Sequence, residues 1–168
     1  MRARLGIAGV LRNEGRYDEA LAHYRALLEL NPHDNQGVRY LLLTALLALD
    51  RNEEAGLLLA EYENDGQALW PYARLLWQFR TDRDPSRLRA AYDAASAANA
   101  HVLHYLLNPE STPFSEGSHF ALGSREEAAY VVDEIGDMFD GLDGAIDWIY
   151  ERGRDRPVRG RRRRRSPK

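Results

Sequence analysis

Apolar residues return every three or four positions from Tyr17 to Leu28: Tyr17, Ala20, Leu21, Tyr24, Leu27 and Leu28. That spacing puts them on one stripe of an α-helix. Upstream, Leu5, Ala8, Val10 and Leu11 form the apolar side of an earlier helix. Gly15 permits the turn between the two, because no Cβ opposes a positive φ there. Ala20 is small where the helices approach. Pro32 ends the second helix, since the residue before a proline is pushed out of the α region. Residues 4–32 therefore read as a helix hairpin.

The pattern returns 35 residues later, over about 37–65. Leu42, Leu43 and Leu46 repeat Ile7, Ala8 and Leu11; Arg51 to Ala55 repeats Arg16 to Ala20; Leu59 stands for Tyr24, and Asp50 replaces the turn glycine. Residues 40–49 are apolar almost all round, as in a helix buried between neighbours. A further shift of 33 gives a third copy over about 69–100. Its first helix carries Tyr72, Leu75, Leu76 and Phe79. Asp84-Pro85, an N-cap followed by a first-turn proline, opens the second, whose stripe is Leu88, Tyr92 and Ala95.

Beyond residue 100 the repeat fades. His101 to Leu107 reads as a short helix and 108–123 as a loop. Ser124-Arg125-Glu126-Glu127 is a capping box that opens a helix to about Met138. Gly141 to Gly144 breaks it, and Ala145, Ile146, Trp148 and Ile149 mark a last short helix. Residues 101–151 are expected to cap the open end of the stack, as terminal units of solenoids must.

The unit Gly15-Arg16-Tyr17-Asp18-Glu19-Ala20, then Tyr24, then Leu30-Asn31-Pro32, resembles a tetratricopeptide repeat, whose period is about 34 residues. The resemblance implies an all-α solenoid of about three helix hairpins with a C-terminal helical cap, and a non-catalytic role as a scaffold or adaptor for other proteins. A fainter resemblance covers about a third of the chain. Asn99-Ala100-His101-Val102, Tyr105-Leu106-Leu107, Ser124, Glu127 to Tyr130, Gly144-Ala145 and Trp148 are similar to the end of suppression-of-tumorigenicity-7-type and related bacterial repeat proteins. That family brings no catalytic residues to carry over.

In such folds the first helix of each hairpin lines a concave groove, and the matching positions here include Tyr40, Thr44, Trp70, Arg74, Trp77 and Arg80. Trp, Tyr and Arg are the residue types that anchor partners most strongly. A second reading makes Trp70 and Trp77 core, packed by the C-terminal helices. Some proteins of this kind clamp a partner's terminal carboxylate with Lys, Asn and Arg. The corresponding places here hold Leu5, Gly9, Leu41, Trp70 and Arg74; only Arg74 suits, so an apolar or mixed peptide is the expected partner.

Charge divides the chain. Residues 152–168 carry ten basic groups and one acid, giving +9, while residues 1–151 carry a net −12. The tail has too few apolar residues to order itself. Its Arg161, Arg162, Arg163, Arg164 and Arg165 suit phosphate neutralisation on nucleic acid, the alternative function, though no aromatics are interleaved for base stacking. Two other readings are that the tail folds back on residues 125–151, which hold nine acids against one arginine, or that it is an incidental extension. The arginine and alanine bias marks a GC-rich genome.

Other chemistry finds little footing. There is no cysteine, which excludes disulfides and thiolate metal sites and is compatible with a cytoplasmic protein. The apolar run Leu41 to Leu49 is about half the length that spans a bilayer. Asp133, Glu134, Asp137, Asp140, Asp143 and Asp147 lack the alternating spacing of a calcium loop and read as a solvated face. His101 and His104 share a helix face without a third ligand, and His23, His33 and His119 stand alone. No nucleophile–base order, phosphate loop or metalloprotease motif occurs, so no enzyme, metal or cofactor is expected. An enzyme hidden in loop 108–123 is the remote third reading.

Overall fold

The computed structural model describes residues 2–114 and 120–154. Among them the chain forms α1 (Arg2–Asn13), α2 (Tyr17–Leu30), α3 (Val38–Ala48), α4 (Asn52–Glu61), α5 (Leu69–Thr81), α6 (Pro85–Ala98), α7 (Ala100–Leu107), a 3-10 turn (Pro109–Ser111), α8 (Arg125–Asp140) and α9 (Ala145–Arg154). No strand occurs among the described residues. The all-α repeat solenoid that the resemblance implies is the architecture of the described residues.

The hairpins α1–α2, α3–α4 and α5–α6 stack in chain order, with α2 against α3 and α4 against α5. Ala8, Ala20 and Tyr24 are fully buried in the first hairpin, and Ala55, Leu59, Leu88 and Ala95 hold matching seams further on. The first turn uses Gly15 at φ 75°; the second uses Asp50 at φ 54°. Aspartate is one of the few residues that tolerate this left-handed geometry, so the hairpin survives loss of its glycine.

The caps are written locally. Asp84 accepts from the backbone N–H of Ser86 and Arg87, and Ser124 accepts from that of Glu127. The capping box is completed differently from expectation. Glu127 does not return to the Ser124 N–H; it is buried, and its carboxylate serves two other helices.

α7 and α8 pack against each other with their starts side by side: the Asn99 amide donates to the Ser124 carbonyl at 2.7 Å, and Leu106 lies near Gly136 further along. The α9 side chain Trp148 packs edge-on against Phe79 at 5.3 Å and Tyr92 at 5.8 Å. The basic tail was expected from residue 152, but Arg152 to Arg154 belong to α9. Arg152 is largely covered and lies 3.9 Å from Asp93 of α6. No helix among the described residues is long and apolar enough to cross a membrane.

Candidate functional site: the inner face and its polar edge

Trp70, Arg74 and Trp77 recur at helical spacing on α5, so they share one face of it. That face is turned to α4. The Trp70 indole N–H donates to the Leu59 carbonyl at 3.4 Å, Arg74 donates to the same oxygen at 2.7 Å, and Trp77 donates to the Asn52 carbonyl at 2.7 Å. Arg80 reaches the Leu47 carbonyl of α3 at 2.5 Å and pairs with Asp50 at 3.0 Å. Leu47 and Leu59 lie in the last turns of α3 and α4, where carbonyls lack intrahelical partners and cations are favoured by the helix dipole. Burial lowers the pKa of the Arg80 guanidinium, and Asp50 opposes that shift.

The expectation that these side chains stand open is corrected. Trp70 is 1% exposed, Thr44 3% and Tyr40 7%. Trp70 is boxed edge-on between Tyr40 and Tyr62, each 5.8 Å away. Arg74, Trp77 and Arg80 are half-buried and bonded to carbonyls. They bind neighbouring repeats to each other and present little free surface.

α8 packs on α3 and α5 as well as on α7, and its side chains Val131, Ile135 and Phe139 are buried. Two carboxylates fix its position. Glu134 pairs with Arg12 of α1 at 2.8 Å. Glu127 accepts from the N–H of Ala68, just before α5, at 3.0 Å, from the N–H of Gly123 at 2.6 Å and from the Asn99 amide at 3.0 Å. Orphan N–H groups at a helix start are suited to a carboxylate. Burial raises the pKa of Tyr130, on the same helix, with Glu134 adding to the effect. The acidic set read as a solvated face is therefore divided: Asp133, Asp137, Asp140, Asp143 and Asp147 are exposed, whereas Glu134 faces inward.

A polar cluster that the sequence did not announce lies where the α2–α3 and α4–α5 loops meet. Asp34 accepts from the N–H of Val38 at 2.7 Å and of Arg39 at 3.0 Å, capping α3. Arg39 bridges Asp34 and Asp65, at 2.8 Å each. The Tyr40 hydroxyl donates to Asp65 at 2.9 Å and accepts from Arg39 at 2.8 Å. The guanidinium lies 4.4 Å from the Tyr40 ring centre and 5.5 Å from that of Tyr62. Burial, then the Asp65 carboxylate, raises the Tyr40 phenol well above its ordinary range. Only Asp34, a capping residue type before an apolar run, left a sequence signal; nothing local links Arg39 to Asp65.

Arg39, Tyr40 and Asp65 of this cluster line a cleft of about 580 Å³, together with Glu61, Tyr62, Gln67 and Leu122. Leu122 is 64% exposed. Glu61 and Asp65 line it with a single cation, Arg39, so the cleft is net acidic. It suits an amide-bearing or cationic segment with one apolar side chain.

Elsewhere, Ser111 Oγ lies 3.3 Å from His104 Nε2 but donates to the Asn108 carbonyl at 2.7 Å. Its single proton is engaged there, and the Asn108 amide donates to the His104 carbonyl at 2.9 Å. The group closes the C-terminus of α7 on the exposed surface. His119 and Arg161, Arg162, Arg163, Arg164 and Arg165 lie outside the described residues. Among the described residues no cluster of three His, Asp or Glu side chains is disposed to hold a metal.

Residues 11–78 match the model of the tetratricopeptide repeat family. The match spans most of the first hairpin, the second, and most of the first helix of the third, and it supports a tetratricopeptide-type repeat protein. Neither a curated protein nor a solved structure matches the chain. The likeness of the C-terminal third to suppression-of-tumorigenicity-7-type proteins has no counterpart in these matches. Tetratricopeptide repeats in general mediate contacts between proteins.

Proposed function

We propose that this protein is a non-catalytic interaction module. Its partner is a segment of another protein, held at the polar edge of the inner face. The supporting observation is the acidic, aromatic cleft beside Arg39, Tyr62 and Leu122, on a stack whose repeats match a family of protein-binding modules. The groove set Tyr40, Thr44, Trp70, Arg74, Trp77 and Arg80 acts behind this edge. It keeps hairpins two and three in register, so that two loops meet in one rigid cleft. Entry deeper into the concavity requires displacement of α8.

Tyr62 and Leu122 reach the rim without joining the ion-pair network, so they can be changed while Arg39 keeps both carboxylates. Tyr62→Ala and Leu122→Asp are expected to remove partners captured by the native chain while leaving helix content unchanged. An identical partner set for native and variant proteins would contradict the reading. Nucleic-acid binding through Arg161 to Arg165 is a second reading that rests on the sequence alone. Loss of salt-sensitive binding on deletion of residues 155–168 is its test.

A further inference from the structure

Among the described residues nothing covers one apolar face of α1. Ile7 and Val10 are 52% and 57% exposed. With Ala3 and Gly6 they share one helical face, and they line a hollow of about 650 Å³ that reaches His23 of α2. The repeat register tells what such a face does. Thirty-five residues on, Ala3, Ile7 and Val10 become Val38, Leu42 and Ala45, which are 2%, 5% and 0% exposed. There α2 packs on α3, and Leu42 stands beside Leu28 of α2. The α1 face is thus the counterpart of a seam, with no helix among the described residues stacked on it.

Charge and shape select the occupant. The first turn of α1 carries Arg2 and Arg4 and no acid, which is the unfavourable sign for a helix N-terminus. The opposite end of the hollow carries Glu14 and Glu19. Both acids pair with Arg16, but these partners are about half exposed and the contacts contribute little. A second α1 running antiparallel brings each copy's acids toward the other's arginines and helix start. With the two-fold axis between Gly6 and Ile7, Ala3 faces Val10 of the other copy and Gly6 faces its Ile7. Each contact then sets a small residue against a large one, which gives complementary packing at the centre of an interface. No atom lies within 4 Å of a Cβ placed on Gly6, so that position has room for a partner side chain.

We infer that this face binds a second copy of the chain, as an antiparallel α1–α1 dimer. α1 has 12 residues, a length of roughly 18 Å. An interface built on it falls below the ~800 Å² per partner of a standard complex, so the dimer is weak and concentration-dependent.

Sedimentation velocity of the full chain over a wide concentration series tests the proposal. The native chain is expected to shift from monomer to dimer as concentration rises. Ile7→Asp weakens association by about tenfold or more, and Leu57→Asp, at an exposed site on α4, leaves it unchanged. Because the chain has no cysteine, introduced thiols report register cleanly. Ala3→Cys chains oxidised with Val10→Cys chains give a mixed disulfide dimer, and neither variant alone does so efficiently. A monomer at every concentration overturns the proposal and leaves the face to a foreign helix or to a preceding hairpin. A dimer indifferent to Ile7→Asp, or one cross-linked through Ala3→Cys alone, overturns it as well. The outcome is independent of the cleft-binding reading, since the two surfaces share no residue.

Discussion

Gly56 sits inside α4, where glycine is ordinarily unfavourable by roughly 0.5–1 kcal/mol against alanine. Its reason is Trp77. A Cβ at Gly56 would stand 2.9 Å from Cζ2 of that indole, which is itself held by its bond to the Asn52 carbonyl. Gly56→Ala is therefore expected to destabilise the protein by about 1–3 kcal/mol despite its better helix propensity. Urea unfolding measures this, and a gain in stability would mean that the ring yields. Three tyrosines give a second prediction at this scale. Burial first raises the pKa of Tyr24, Tyr40 and Tyr130 above the ordinary 10.0. Above pH 10 the unfolded chain therefore holds fewer protons than the folded one, and stability falls as pH rises; below pH 10 their contribution is intact. Thermal unfolding followed from pH 8 to roughly pH 11 checks this, and a melting temperature that stayed level or rose through that range would contradict it.

The helices themselves were legible, because a three-to-four-residue apolar period has one local solution. Asp84 and Ser124 announced their caps, and Asp50 could take the place of the turn glycine. The direction of the Trp70, Arg74 and Trp77 stripe was not legible. A periodic face shows that side chains share a side of α5, not whether that side meets solvent, α4 or α8. The seat of α8 was equally hidden, since Arg12 and Glu134 are 122 positions apart in sequence. That pair ties α1 to α8, with side chains 25% and 9% exposed. A double-mutant cycle of Arg12→Ala and Glu134→Ala is expected to give a coupling of about 1 kcal/mol, above most exposed pairs. Additivity would show that α8 is held there by its apolar stripe alone.

At the scale of the molecule, three hairpins stack in chain order and the chain's own α8 packs on α3 and α5. Glu127 binds the start of α5 and the α6–α7 junction, Glu134 binds α1, and Val131, Ile135 and Phe139 bury the strip between. Among the described residues, the acidic cleft and the α1 face that carries Ile7 and Val10 stay uncovered. Hydrogen–deuterium exchange across the chain tests this arrangement most directly, because protection follows the cooperative unit to which a helix belongs. The amides of α8 are expected to exchange as slowly as those of α3 and α5, with the three opening together in denaturant. Fast exchange in α8 while α3 and α5 stay protected would contradict the account.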